Sequence, residues 1–242
     1  MSAATVRTGR GERGAGDGTR GDVELRIDGS KPLTMESVAA VDAACTVAES
    51  TKATTLLAVH LTGTPGKDWT HGLEVALVSK WERSLRRLER LTVTTVAVAS
   101  GDCGGLALDA LLATDYRIAT PDVRLSLYVD GEATWPGMAI FRLAQQAGGT
   151  RLRRAILFGA PLDATESVDL GIVDEVTSDP GMALTAAAEM VSGLSGREVA
   201  VRRQLMFDAP TTSFEDALGR HLAACDRALR RSAGPGPGAA AG

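Results

Sequence analysis

The sequence predicts an α/β fold in which a parallel β-sheet is followed by a helical C-terminal part. Two observations carry this prediction. Apolar strands alternate with amphipathic helices through the first half of the chain, and nearly continuous apolar strands are typical of a parallel sheet that is buried on both faces. After residue 136 the pattern is almost entirely helical.

Residue periodicity defines the first elements. Residues 23–27 alternate between apolar and polar side chains, which predicts a strand. Thr34 is a candidate N-cap for a helix that continues to about residue 48, and residues 54–61 form an apolar strand. Residues 74–91 carry an apolar stripe at helical spacing beside a charged face, which predicts an amphipathic helix.

The remaining elements complete one folded region between two low-complexity ends. Strands are predicted at residues 94–99, 117–119 and 172–176, and helices at residues 136–147, 150–158, 164–170, 182–194, 198–207 and 213–231. We therefore expect a disordered leader over residues 1–21, a sheet core over 22–176, a helical region over 177–231 and a disordered tail over 232–242.

Composition argues against several classes of function. The net charge of −4 provides no basic surface for nucleic acid. The longest apolar runs are too short to span a bilayer, and the leader lacks the apolar segment of a signal peptide. The three cysteines are far apart in the sequence, which argues against a disulfide framework or a zinc site. We expect a cytoplasmic protein that uses no metal or redox cofactor.

Residues 96–119 carry the strongest functional pattern: an apolar strand, a glycine turn and a short apolar helix. Gly104 and Gly105 lie between the strand and the helix. Backbone N–H groups at the start of a helix are unpaired and lie at the positive end of the helix dipole, so they can hold an oxyanion. The alternative is that the two glycines permit close packing of the helix and the strand.

Four segments in this order resemble the crotonase (enoyl-CoA hydratase/isomerase) superfamily. They are residues 56–63, residues 96–119, residues 155–164 and residues 170–176. The resemblance implies a crotonase-like ββα spiral with a helical C-terminal part. It also implies a CoA thioester as substrate, and an oxyanion hole of two backbone N–H groups that holds the thioester oxygen.

The resemblance also implies where the oxyanion hole lies. One donor belongs to the loop at residues 69–74, where His71 occupies a position that is alanine in the family and is followed by Gly72. The second donor falls on Leu106, directly after Gly104 and Gly105. A backbone N–H donates whatever its side chain, so these departures change the room for the thioester rather than remove the donors.

Of the family's two catalytic carboxylate positions, only the first coincides with an acidic residue of this sequence. The first falls on Asp109, among apolar residues, where burial would raise the carboxyl pKa as a proton shuttle requires. A solvated helix position or a buried partner for an arginine are the alternatives. The second falls on Val129, with Asp130 one residue away and Glu132 as a further candidate. If neither serves, the site has one acid, which disfavours ordinary two-carboxylate hydration.

A narrower resemblance is to the crotonase-like proteins of dihydroxyphenylglycine biosynthesis. Residues 69–70, 78–83, 97–105 and 133–138 carry it. It implies acid/base dehydration or tautomerisation of a CoA-tethered polyketide during formation of 3,5-dihydroxyphenylacetyl-CoA, beside a type III polyketide synthase. It further implies a homotrimer, or a hexamer formed from two trimers, packed partly through the C-terminal helices.

Two other functions remain open. The departures at the second acid, the glycine turn and the first loop favour a catalytically weakened homologue that binds and activates the polyketide synthase. An ordinary enoyl-CoA hydratase is the third hypothesis, and the departures at the acid positions argue against it.

Overall fold

The computed structural model describes residues 2–8, 23–50, 56–130, 133–134 and 137–232. Within these residues eight strands form one sheet, whose main order is β1–β2–β3–β4–β5–β10; β6 also pairs with β4, and β9 pairs with β6. The strands are β1 (Ala4–Thr8), β2 (Val23–Asp28), β3 (Leu56–Gly63), β4 (Thr94–Gly104), β5 (Tyr116–Ala119), β6 (Arg124–Ser126), β7 (Val129–Asp130), β8 (Ala133–Thr134), β9 (Leu162–Asp163) and β10 (Glu175–Val176). The short strands β7 and β8 pair separately from this sheet.

The described helices lie between the strands and then follow the sheet. They are α1 (Met35–Ser50), α2 (Val75–Glu89), α3 (Leu106–Leu111), α4 (Ala139–Leu143), α5 (Arg153–Phe158), α6 (Ala164–Asp169), α7 (Pro180–Ser192), α8 (Gly196–Asp208) and α9 (Phe214–Ser232). A π-helical turn at Ala144–Gly148 continues α4. The α/β class and the helical C-terminal part are therefore confirmed.

The sheet is parallel from β2 through β5 to β10, and helices cover both of its faces. Alternate residues of β3 show this: Leu57 and Val59 belong to the large core that includes α1, α2 and α3. Leu56 and Ala58 belong to a second cluster with the apolar face of α7. Burial on both faces explains the continuous apolar strands of the sequence.

Strand β4 joins two parts of the sheet and ends at the glycine turn. Its first half pairs with β5, between Val96 and Ala99. Its last residues, from Asp102 to Gly104, pair instead with β6. The polypeptide then turns at Gly105 into α3, which packs against β2, β3 and β4.

The expected disordered leader is wrong for residues 4–8. These residues form β1, which pairs antiparallel with β2 at the edge of the sheet. Ala3 and Ala4 are buried in the main core, and this burial of small apolar side chains beside α1 offsets the loss of chain entropy. Residues 9–22 and the tail from residue 233 lie outside the described residues, and Ser232 is the last residue of α9.

Three elements are clearly shorter than the sequence predicts. The helix expected at residues 150–158 begins only at Arg153. The strand expected at residues 172–176 is confined to β10, because the N–H groups of Ile172 and Val173 both donate to the Ser167 carbonyl and close a turn after α6. The helix expected at residues 136–147 begins at Ala139 and continues as the π-helical turn. The predicted cap of α1 is confirmed, since the Ser37 N–H donates to Thr34 Oγ1 at 3.3 Å.

Arg203 anchors helix α8 to the sheet and to the end of α2. Its guanidinium donates to both carboxylate oxygens of Asp115. It also donates to the carbonyls of Glu89 at 3.1 Å and Leu91 at 2.6 Å. The Asp115 carboxylate in turn accepts from the Thr95 N–H at 2.9 Å, so α8 is joined to the starts of β4 and β5.

We therefore expect Arg203→Met to lower the free energy of unfolding by about 3 kcal/mol, because it leaves a partly buried carboxylate without its partner. Urea denaturation followed by circular dichroism measures this. Arg202→Met is the matched control, since Arg202 is exposed on the same helix, and it should change stability by less than about 0.5 kcal/mol. Equal effects of the two substitutions would contradict the anchoring role.

Candidate active site

The glycine turn places the start of α3 at the end of β4. Gly105 adopts a φ of +49°, which favours glycine. The first backbone bond of α3 runs from the Asp109 N–H to the Gly105 carbonyl at 3.0 Å. The N–H groups of Leu106 and the next two residues therefore precede the helical ladder, as the predicted oxyanion donor requires.

The loop that follows β3 covers this turn closely. A Cβ atom on Gly105 would lie 2.5 Å from Pro65 Cγ and 3.5 Å from Trp69 Cζ2. A Cβ atom on Gly104 would lie 2.5 Å from Thr64 Oγ1. Both glycines therefore permit close packing against the loop, and Gly104 also lies close to the Ser126 carbonyl of β6.

Tyr128, which is buried in the core, binds the same loop through two hydrogen bonds. Its hydroxyl donates to the Gly66 carbonyl at 2.8 Å and accepts from the Trp69 N–H at 3.4 Å. The rings of Trp69 and Tyr128 are tilted by 60° with their centroids 5.5 Å apart. The indole N–H of Trp69 donates to the Lys31 carbonyl at 2.9 Å. The Tyr128 hydroxyl therefore holds the loop, a role that its sequence context did not indicate.

The predicted loop donors lie at the surface. His71 and Gly72 are exposed, and the His71 N–H donates to the Asp68 carbonyl at 2.9 Å within the loop. In this conformation the first predicted oxyanion donor is therefore used by the loop itself. A cleft of about 490 Å³ lies beside the loop, between Lys67 and Tyr128.

Asp109 lies in the interior, with 5% of its surface exposed. Its carboxylate accepts a hydrogen bond from the Trp81 indole N–H at 3.3 Å. Burial, and secondly the negative charge of Glu82, raises the pKa of the Asp109 carboxyl from its ordinary value of 3.8 to about 7, while Arg142 and Trp81 act in the opposite direction. The solvated alternative is therefore wrong, and burial raises the carboxyl pKa in the direction expected from the sequence. The catalytic role of Asp109 stays a prediction.

A buried ion-pair cluster adjoins Asp109, and the sequence reasoning missed it. Arg142 donates to Glu89 at 2.6 Å and to Glu82 at 2.9 Å, and Arg86 donates to Glu89 at 2.7 Å. The available signal was the seven-residue separation of Glu82 and Glu89, which places both carboxylates on one side of α2 beside its apolar stripe.

The structure does not test the second acid. The backbone of Asp130 lies in β7 and pairs with Ala133 of β8. The Asp130 side chain and the whole of Glu132 lie outside the described residues. Val129 packs against Gly159, where an added Cβ would come within 2.5 Å of Val129 Cγ2. Asp130 and Glu132 therefore remain predictions.

Comparison with known proteins decides the family. No protein-family profile matches the chain. The chain is 53% identical over 213 residues to a protein of Amycolatopsis orientalis named enoyl-CoA-hydratase, and the match covers 88% of this chain and 98% of that protein. The chain belongs to the crotonase (enoyl-CoA hydratase/isomerase) superfamily. The predicted family is confirmed at this level.

Solved crotonase structures have the same fold. An enoyl-CoA hydratase/isomerase from Marinobacter aquaeolei superposes with a TM-score of 0.75 at 17% identity, and the match covers 96% of this chain and 92% of that one. An enoyl-CoA hydratase from Mycobacterium smegmatis gives a TM-score of 0.76 at 15% identity, over 93% and 90% of the two chains. The crotonase-like spiral expected from the sequence is confirmed.

The described residues contain neither a cluster of candidate metal ligands nor a helix that could span a membrane. Across the described ranges, no three His, Cys, Asp or Glu side chains are grouped so as to bind a metal ion. None of the helices in this part of the chain has both the length and the apolar character needed to cross a bilayer.

Gly105→Ala is expected to destabilise the protein by about 2 to 3 kcal/mol, because it adds both left-handed backbone strain and a clash with Pro65. Gly72→Ala is the matched control: Gly72 has a φ of +72°, but a Cβ there meets nothing within 4 Å. The control should therefore cost only the strain, about 1 kcal/mol. Urea unfolding measures both, and equal losses would show that the loop does not press on the turn.

Asp109 should give the folding stability a characteristic pH dependence. The unfolded carboxyl loses its proton near its ordinary pKa of 3.8, whereas the folded one keeps it up to about pH 7. The contribution of Asp109 to the free energy of unfolding is therefore fully present below about pH 4 and is lost as the pH rises to about 7. Asp109→Asn has no proton to lose, so near pH 8 it should be more stable than the wild type by about 4 kcal/mol.

Urea denaturation across this pH range tests the prediction. Asp102→Asn is the control, because Asp102 is exposed on the neighbouring strand and should leave the wild-type pH dependence unchanged. If Asp109→Asn retains the decline in stability between about pH 4 and about pH 7, the Asp109 carboxyl is not the group responsible.

Proposed function

We propose that this protein catalyses proton transfer on a CoA thioester, with Asp109 as the acid/base group. The observation that carries the proposal is the buried Asp109 carboxyl, one turn into the helix that follows the glycine turn, with its pKa raised to about 7. A group with a pKa near the working pH can both donate and accept a proton efficiently.

In this proposal the protein backbone stabilises the negative charge that develops on the thioester oxygen. The N–H of Leu106 is one donor, at the positive end of α3. The second comes from the loop at His71 and Gly72, where the His71 N–H must leave the Asp68 carbonyl. Binding of the thioester would therefore be coupled to a local rearrangement of residues 68–72. No cofactor beyond the CoA of the substrate is required.

We further propose a CoA-tethered polyketide as the substrate, with dehydration or tautomerisation as the reaction. The resemblance to DpgB, the crotonase-like protein of dihydroxyphenylglycine biosynthesis, supports this proposal. Two of the residues that carry this resemblance lie at the proposed site. Trp69 lies beside Gly105 in the glycine turn, and the indole N–H of Trp81 donates to the Asp109 carboxylate. The reaction would contribute to 3,5-dihydroxyphenylacetyl-CoA formation beside a type III polyketide synthase.

Two other functions have specific support. The relative named enoyl-CoA-hydratase favours ordinary hydration of an enoyl-CoA, with Asp109 and either Asp130 or Glu132 as the two acids. The tight cover of Gly105 by Pro65 and Trp69 favours the accessory role, in which the fold binds and activates the synthase without chemistry of its own.

The family resemblance also leads us to propose assembly as a homotrimer or a hexamer. Helix α9 supports this, because Leu218, Leu222 and Leu229 share one face of the helix and are exposed in the single chain. Burial of this face against other copies would remove a continuous apolar stripe from water.

The deciding experiment reconstitutes product formation from malonyl-CoA by a type III polyketide synthase, with and without this protein. Wild type and Asp102→Asn should stimulate formation of the dihydroxyphenylacetyl product, and Asp109→Asn should lose at least about 100-fold of that stimulation. Liquid chromatography with mass detection measures the product.

The other outcomes separate the three functions. Stimulation that survives in Asp109→Asn would overturn the catalytic role and favour the accessory one. No stimulation, together with hydration of crotonyl-CoA that Asp109→Asn abolishes, would establish an ordinary hydratase instead.

A further inference from the structure

The side chains around Asp109 come from two elements besides its own helix. Helix α2 supplies Trp81, whose indole N–H contacts the Asp109 carboxylate, and the next residue, Glu82. Helix α4 supplies Arg142, which lies close enough to act on the Asp109 charge. Trp81 and Arg142 are 1% and 6% exposed, so this contact region is largely removed from water.

Charge balance within the cluster depends on the state of Asp109. Arg142 is bonded to both Glu82 and Glu89, and Arg86 is bonded to Glu89. With Asp109 protonated, these two carboxylates are balanced by the two guanidinium groups. Ionisation of Asp109 adds a negative charge that this cluster does not balance, and an unbalanced charge in a poorly solvated site is unfavourable.

We propose that Glu82 and Arg142 are positioning residues that, in addition to burial, adjust whether Asp109 carries a proton when the substrate arrives. The inference rests on the proposed function, in which Asp109 is the acid/base group. Glu82 disfavours the ionised carboxyl because it adds a like charge, and Arg142 limits that effect because it holds Glu82 in an ion pair 2.9 Å long. The two residues act through Asp109 and need not contact the substrate.

This arrangement specifies the direction of proton transfer. Because the balanced state is the protonated one, Asp109 begins the reaction as a proton donor at or below neutral pH. A proton donor is the group that loss of a hydroxyl as water requires. Glu82 would therefore bias the site toward dehydration, where a site with an ionised Asp109 would begin by removing a proton.

The test follows the protonation of Asp109 without substrate. Carbon-13 NMR of protein labelled at the aspartate side-chain carboxyls detects each titration, and the signal missing in Asp109→Asn assigns the Asp109 carboxyl. In Glu82→Gln the remaining charges balance with Asp109 ionised. We therefore expect the midpoint of the Asp109 titration to fall by about one pH unit. The limb of the activity–pH profile that reports Asp109 should shift by the same amount.

Two variants control for charge and for structure. Glu82→Asp keeps the negative charge, so its Asp109 titration should stay close to that of the wild type. Glu74→Gln removes an exposed carboxylate just before the same helix and should shift nothing. Glu82→Gln is expected to fold, because Arg142 keeps its bond to Glu89. Arg142→Lys keeps the positive charge, so the Asp109 titration of this second variant should stay close to that of the wild type.

The result that would overturn the inference is an unchanged Asp109 titration in a folded Glu82→Gln protein. A shifted titration with a parallel shift of the activity–pH profile supports it. Failure of the proposed function looks different, because activity would then survive in Asp109→Asn whatever the titration shows.

Discussion

The burial of one carboxyl group governs the chemistry available to this site. Asp109 lies on a short helix that is enclosed by α2, by the sheet and by the loop after β3, so its carboxyl is removed from water. Removal from water disfavours the charged form, and the neighbouring Glu82 adds to the effect. The surrounding groups, one indole N–H and a guanidinium shared between two other carboxylates, reduce the effect without cancelling it.

The same packing that creates this environment also restricts access to it. Pro65 lies so close to Gly105 that an added Cβ atom would clash with it, and Trp69 lies beside it at ordinary contact distance. Tyr128 holds the loop in place through its hydroxyl. The glycines thus serve the packing of the loop, and any oxyanion hole at Leu106 has to form beside that contact. The covered glycine turn favours the accessory hypothesis, whereas the buried Asp109 carboxyl favours the catalytic one.

Local pattern was sufficient for most of the fold and for part of the site. The period of the strands, the Thr34 cap and the amphipathic α2 are local properties, and the glycine turn with Asp109 lies within a short stretch of sequence. The bonds from Arg142 to Glu82 and Glu89 join residues more than fifty positions apart, so no local pattern contains them. Likewise β1 is five residues long and packs against β2 and α1, contacts that the sequence of the leader alone does not reveal.

The most direct test of the central claim is proton exchange at a CoA thioester. Phenylacetyl-CoA is incubated in D₂O with the wild type or with Asp109→Asn, and mass spectrometry follows deuterium uptake at the carbon beside the thioester carbonyl. If Asp109 transfers protons there, the wild type accelerates uptake above the protein-free rate and Asp109→Asn loses at least about 100-fold of that acceleration. Equal uptake with both proteins would contradict the account.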